Sequence, residues 1–558
     1  MRRPTIPLVF RELADEPGSL RILAVAAIAL FASGLDPKVW SPGLMSVQDA
    51  IAERPSLELV LLLGSVLGAA LLFVGGVLGD TDGRRRILVG ALAVLVVTGF
   101  AGVVVTGGPL FLVVRLAGTA AANAVLPFAF ALVATRYHGI PRATAIGVVY
   151  AAYGAAGAAN PVLLTILGPA GPRWPAFIAA GAAAVIALVI AIRYAPDLPA
   201  DDPVERPYVI GTAVWAMAVV LVTMGLLGFG GGLLDPVRFV FVGTGGILAA
   251  AYLAWDRRNR RSGRQAPHVD RRPVTVAVAV GVVIAFAQVA PMFELPLFFQ
   301  LVLSYGPILS AVATAPFIVA LIAAGPIAGV LLARFRPRAL VAGGVAAVGL
   351  GNLVVALVLS PTAPYGLLVV PFVLIGAGFV IATTVRTAII FASVSRGLPA
   401  TAAALNEASV QVGARIGLVV VSVLVARLAL DGYAATLTGL DPAHLDAALA
   451  PFRDIMSAVG TPAMGQLSAA VGPDDLAAYA GAYTEAVRVA LAFTGILAVA
   501  AAPIAWVALG RRDPLGTVWE HRDERPDGGA GSQADGGAGA KPRAGPPAGT
   551  DPTKGGGT

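Results

Sequence analysis

Fourteen mostly apolar stretches, each about twenty residues or longer, recur along this chain between short polar connections. No other feature narrows the possible folds as much. A helix needs about 20 apolar residues to cross the hydrocarbon core of a bilayer. The stretches run over 21–46, 57–79, 86–106, 110–134, 143–168, 174–194, 208–230, 237–255, 274–300, 307–333, 338–360, 364–391, 401–429 and 482–509. In hydrocarbon, every backbone polar group must be satisfied within the segment, so runs of this kind fold as helices. The pattern predicts an all-α polytopic membrane protein with 14 transmembrane helices. Composition agrees: 57% of the residues are hydrophobic and only 13% charged, against roughly 25% charged in soluble proteins.

The positive-inside rule orients the spans. With the amino terminus inside, the cytoplasmic connections before the tail carry 22 Lys and Arg, the tail after residue 510 carries 7, and the external connections carry 6. Four arginines, Arg115, Arg386, Arg415 and Arg488, fall within spans. The reading is a multi-pass protein of the plasma membrane, a bacterial inner membrane, with both termini cytoplasmic. Residues 1–20 form a cytoplasmic amino-terminal segment and lead into an uncleaved first span. The most basic connection, 256–273, is expected to rest on anionic headgroups. The external segment 430–481 has apolar residues at helical spacing around Leu445–Leu449 and Phe452–Met456, which predicts short helices on the outer surface. The stretch 511–558 is rich in Gly, Pro, Asp and Arg, and is expected to be disordered.

Several functions are excluded by residue type. The chain has no cysteine, hence no disulfide, thiolate metal site or cysteine nucleophile. Lysine occurs only at Lys38, Lys541 and Lys554, so no Gly-Lys-Ser/Thr loop exists to hold ATP. The net charge of +7 lies in short clusters between apolar runs, unlike a nucleic-acid-binding face. The histidines His138, His268, His444 and His521 sit in connections or the tail without metal-ligand spacing. No cofactor and no enzymatic constellation are expected.

Between the second and third stretches stands GVLGDTDGRRR, residues 76–86. Its Gly76-Val77-Leu78-Gly79-Asp80-Thr81-Asp82-Gly83-Arg84-Arg85 resembles the signature of the major facilitator superfamily, Gly-x-Leu-x-Asp-x-x-Gly-Arg-Arg/Lys, in the turn where that signature belongs. The glycines permit a tight turn and close helix approach. The resemblance implies that Gly76, Asp80, Gly83, Arg84 and Arg85 form a conformational latch that does not contact substrate. Further motifs resemble the fourteen-span drug:proton antiporter branch. Leu35-Asp36 with Val39 and Leu44 stands where the first-span signature lies, and Arg115-Leu116-Ala117-Gly118 approximates Arg-x-x-x-Gly in span four. Gly147, Gly154, Gly157 and Asn160-Pro161 resemble the span-five antiporter motif, with asparagine in place of its glycine. Arg173-Trp174-Pro175-Ala176-Phe177 resembles the start of span six. Leu297-Phe298-Phe299-Gln300 and Ser304-Tyr305-Gly306-Pro307 resemble the end of span nine, and Ala404-Leu405-Asn406 to Gln411-Val412-Gly413 the span-thirteen pattern. The implied fold is two six-helix bundles, 21–194 and 274–510, separated by two extra central spans and the basic loop within 195–273.

Ionisable groups at membrane depth are functional candidates by default. Asp36, flanked by Pro37 and Pro42, is either a carboxylate that takes and releases a proton or a headgroup-region acid beside Lys38. Arg115 is either the proton-coupling arginine that the resemblance implies or the partner of a carboxylate such as Asp36. Glu294, between Pro291 and Pro296 in span nine, is a proton-coupling candidate. Its place at the start of the second half suggests that Asp36 and Glu294 face one central cavity from paired repeats. Glu407 either lies in the proton pathway or pairs with Arg386. Glu407, Gln411 and Arg415 follow at four-residue spacing and share a helix face; Arg415 implies either an ion pair or an anionic group of the substrate. Asn123, Tyr150, Tyr153, Asn160, Gln288, Gln300, Gln411 and Arg415 are the candidates for lining the substrate cavity, with packing the competing role for the tyrosines.

The resulting expectation is a secondary transporter exporting small amphipathic, drug-like or lipid-like compounds in exchange for protons by alternating access. The expected partners are the substrate, protons and the bilayer, and the chain is expected to act as a monomer. A proton-coupled metabolite importer and a non-transporting membrane scaffold or sensor are the alternatives.

Overall fold

The structure is a computed structural model, and it describes residues 13, 18–36, 83–105, 108–167, 174–196, 236–261, 270–394, 399–437 and 472–510, with scattered positions between 211 and 225 and between 444 and 452. These residues form an all-α architecture. In chain order the helices are α1 (Ser19–Leu35), α2 (Arg84–Val104), α3 (Gly108–Arg136), α4 (Gly139–Leu167), α5 (Trp174–Tyr194) and α6 (Pro236–Arg261). Then come α7 (Arg271–Val289), a π-helical turn (Ala290–Glu294), α8 (Leu295–Leu301), α9 (Pro307–Ala313) and α10 (Ala315–Leu332). The last are α11 (Pro337–Val358), α12 (Gly366–Ser393), α13 (Pro399–Ala434) and α14 (Pro473–Leu509).

Among the described residues, 10 helices are long and apolar enough to cross a membrane. In addition, α1 and α4 occupy the stretches expected for spans one and five. Span 57–79 lies outside the described residues, and 208–230 shows only scattered helical positions. The tail 511–558 also lies outside them.

Proline explains two departures from plain helices. The first span was expected to run on to residue 46, but α1 ends at Leu35 and Asp36 is extended, at φ −53° and ψ 125°. Pro37 follows, and proline pushes the preceding residue out of the α region. In span nine, Pro291 and Pro296 bracket Glu294; proline removes a backbone donor and crowds the preceding turn, and the helix widens there into a π turn.

Helices α13 and α14 reach further than expected. At 37 residues, α14 is about 55 Å long, well over the roughly 30 Å of hydrocarbon. Their extensions occupy both ends of the segment 430–481. The described positions between 444 and 452 are helical, and from them Phe452 packs between Tyr433 of α13 (4.7 Å) and Tyr479 of α14 (4.2 Å, stacked). The expected surface helix is therefore pinned by aromatic contacts.

Helix α1 packs against α3, α4 and α5, and α2 against α3 and α5. In the second half, α7 packs against α12, α13 and α14, and α11 against α12 and α14. The halves meet where α4 packs on α10 and α12, and α3 on α13. At the α4–α10 crossing, Gly147 and Gly325 come so close that a methyl group on either would strike the other's carbonyl. Small residues allow backbones to approach in this way within a membrane.

Candidate functional site

Three polar constellations lie inside this helical framework. The first joins α1 to α3. Arg115 donates from Nη1 to Asp36 Oδ1 (3.3 Å) and from Nη2 to Asp36 Oδ2 (3.1 Å), and each residue is 3% exposed. The guanidinium carbon lies 5.4 Å from the Phe177 ring of α5. A bidentate fork of this kind is the strong form of arginine–carboxylate pairing. The pairing of Arg115 with a carboxylate such as Asp36, one of the two readings of that arginine, is present in the structure.

The second constellation surrounds Glu294. Tyr483 of α14 donates its hydroxyl to Glu294 Oε2 at 2.9 Å, and Glu294 is 5% exposed. The hydrogen-bond partner of Asp36 lies on α3 and that of Glu294 on α14.

The third constellation crosses between the halves. Asn406 of α13 donates from Nδ2 to the Tyr150 hydroxyl of α4 (3.0 Å); Tyr150 and Thr387 of α12 share a hydrogen bond (3.2 Å); Thr387 donates to Asn406 Oδ1 (2.8 Å). With Tyr150 donating to Thr387, the three can close a ring, and the Thr387 hydroxyl has a second acceptor in the Thr383 carbonyl at 2.7 Å. Beside it, Arg386 is fully buried, donating to Ser409 Oγ (3.0 Å) and more weakly to the Asn406 and Ala277 carbonyls (3.5 Å each). Glu407 also lies near enough to Arg386 for their charges to attract. Glu407 accepts from Gln411 Nε2 at 3.3 Å, as their four-residue spacing allows.

The remaining candidates are dispersed. Gln300 bonds the Pro296 carbonyl (3.3 Å) and Ser310 (3.5 Å), which ties α8 to α9 and makes it a turn-holding residue. Asn123 of α3 and Gln288 of α7 are half-buried. Tyr153 lies against Gly34 of α1. The side chain of Asn160, together with Gly76 and Asp80, falls outside the described residues. Of the residues expected to form a latch, Gly83 takes φ +101° just before α2, a conformation that glycine adopts readily. Arg84 is buried, and Arg85 donates to the Ile192 carbonyl in the last turn of α5 at 2.7 Å. A cation at a helix carboxyl end is favoured by the helix dipole. Thr387 and Tyr483 were not picked out from the sequence. The available signal for Thr387 was a hydroxyl at membrane depth next to a buried charge, Arg386; Tyr483 had no such neighbour in sequence.

Comparison with known proteins agrees with this architecture. Residues 26–418 match the Major Facilitator Superfamily. The tetracenomycin C resistance and export protein of Streptomyces glaucescens is 26% identical over 200 residues, covering 33% of this chain and 35% of that protein. The cephamycin export protein CmcT of Amycolatopsis lactamdurans is 36% identical over 124 residues, 22% of this chain and 25% of that one. The chain thus aligns with only about a third and a quarter of these relatives. Among solved structures, the human organic anion transporter MFSD10 (TETRAN) superposes with a TM-score of 0.54 at 14% identity, covering 87% of this chain and 100% of that one. The proton:xylose symporter XylE superposes with a TM-score of 0.56 at 12% identity, covering 90% and 98%. At such identities the likeness concerns the fold.

Proposed function

The chain belongs to the major facilitator superfamily and is a multi-pass membrane transporter, and from that premise we propose that it exports small amphipathic compounds in exchange for protons by alternating access. The observation that carries the coupling is the buried, bidentate Asp36–Arg115 pair. In the ionised state the two charges hold α1 to α3. Protonation of Asp36 discharges the pair, frees the Arg115 fork and lets α1 move, so proton entry and the change of state are one event. Substrate arriving on the other side competes by favouring the state in which Asp36 is ionised again.

The Tyr150–Thr387–Asn406 ring supports the alternating-access part of this reading. It joins α4 to α12 and α13 through neutral hydrogen bonds, each worth about 0.5–1.5 kcal/mol net, strong enough to favour one state and weak enough to break in each cycle. Export, rather than uptake, is favoured by the two relatives described as export proteins. The proposed setting is a bacterial inner membrane, with both termini cytoplasmic, the bundles at 21–194 and 274–510, and a monomer as the working unit.

The test is reconstitution of the full chain in proteoliposomes with an imposed pH gradient, screening amphipathic compounds for coupled flux. Flux that follows the gradient and collapses with a protonophore supports the proposal. Flux indifferent to the gradient removes proton coupling, and binding without flux would point to a scaffold or sensor.

A further inference from the structure

Of the four arginines that the sequence places inside spans, three have partners. Arg115 pairs with Asp36, Arg386 donates to Ser409, and Arg488 donates to Glu485 and the Ala356 carbonyl. Arg415 is different. It lies within α13, about 24 Å along the axis from Pro399, inside the apolar stretch Ala402–Ala434. Its side chain is half-buried and makes no hydrogen bond or ion pair with the described residues.

The direction of the side chain follows from its neighbours. Gly413 and Gly417 pack on Val282 and on Phe286 and Val289 of α7. Arg415 lies two residues from each, and at about 100° per residue it stands on nearly the opposite side of the helix. Ile416, Val420 and Val423 form the exposed apolar side of α13, and Arg415 stands roughly 100° round the helix from that side. It instead continues the polar row of Glu407 and Gln411. Glu407 does not neutralise it: eight residues separate the two along one helix, about 12 Å of rise, and Glu407 is engaged by Gln411.

An unpaired guanidinium facing hydrocarbon is strongly disfavoured. It persists where water or an anion reaches it. Its planar fork of donors matches a carboxylate, sulfonate or phosphate oxygen pair. We infer that Arg415 receives the anionic group of an amphipathic organic acid carried by this protein, with the apolar remainder of that compound against the neighbouring helices. The inference rests on the transport reading above and adds the substrate class.

The experiment uses the purified full chain in lipid nanodiscs and two matched probes, 1-naphthaleneacetate and its uncharged methyl ester, with binding measured calorimetrically. The wild-type chain should bind the acid about tenfold more tightly than the ester. Arg415→Gln should erase that preference and leave ester binding as it was, and Arg415→Lys should keep part of it. No preference in the wild-type chain, equal affinity of Arg415→Gln for the acid, or parallel loss of both probes overturns the inference. A second readout needs no ligand. Because the chain has no cysteine, Arg415→Cys provides one thiol, which an anionic, water-soluble methanethiosulfonate should modify, more slowly when naphthaleneacetate is present. Absence of modification places position 415 against lipid and also overturns the inference. Arg415-dependent binding without flux in proteoliposomes counts against transport and leaves the anion site standing.

Discussion

Arg115 and Asp36, 79 residues apart in sequence, meet through two parallel hydrogen bonds of 3.3 and 3.1 Å, and both are almost fully buried. Removing one member of such a pair leaves an uncompensated buried charge, which costs about 3–5 kcal/mol. Arg115→Gln should therefore destabilise the protein strongly, and Arg115→Gln combined with Asp36→Asn should destabilise it less than Arg115→Gln alone. Thermal unfolding of the purified variants measures this. Equal destabilisation of the single and double variants would mean that the two charges are not coupled.

If the same pair couples protons to transport, Asp36→Asn should separate two activities. Downhill exchange of substrate should survive, since the shape of the side chain is kept. Accumulation driven by a pH gradient should fall at least tenfold, since no proton is taken up at that site. Undiminished gradient-driven accumulation by Asp36→Asn would move the coupling to another acid, with Glu407 the next candidate.

The latch turn should act on rate. Arg85 holds the last turn of α5 through the Ile192 carbonyl, and Arg84 is buried at the start of α2. Arg84→Ala with Arg85→Ala should slow turnover severalfold while equilibrium binding of a transported compound stays within about twofold, because the turn governs state exchange. Weakened binding at normal turnover would contradict that role. The side of the membrane is tested at the exposed Arg86: Arg86→Cys should be labelled from the cytoplasmic face only.

Much of this was legible in the sequence because a bilayer leaves few choices. Long apolar runs marked the helices, whereas the early end of α1 at Leu35 and the π turn at Ala290–Glu294 emerge only in the structure. Gly83 and the arginines after it marked the turn at the head of α2. Partnership was harder to read. A helical period assigns a residue to a face but does not say which distant helix covers that face, so the ring joining Tyr150 to Asn406, 256 residues away, has no local signal. Glu294 shows the same limit: its depth was visible, whereas its turn toward α14 depends on how the helices pack.

Glu294 also yields the sharpest contrast between the sequence and its contacts. A lone acid between prolines suggested a proton carrier, and its carboxylate also accepts the Tyr483 hydroxyl of α14 at 2.9 Å. A group fixed in that way serves best as an anchor between span nine and the long final helix, which also bears Tyr479 stacked on Phe452. Glu294→Gln keeps an acceptor for the Tyr483 hydroxyl and should retain most gradient-driven transport. Glu294→Ala leaves that hydroxyl without its acceptor, which costs about 1–3 kcal/mol, and should lower the unfolding temperature. Tyr483→Phe should do the same, and adding it to Glu294→Ala should cost little more, since the bond is already gone. Loss of gradient-driven transport in Glu294→Gln, with stability and downhill exchange intact, would restore Glu294 to the proton path and remove the anchor role.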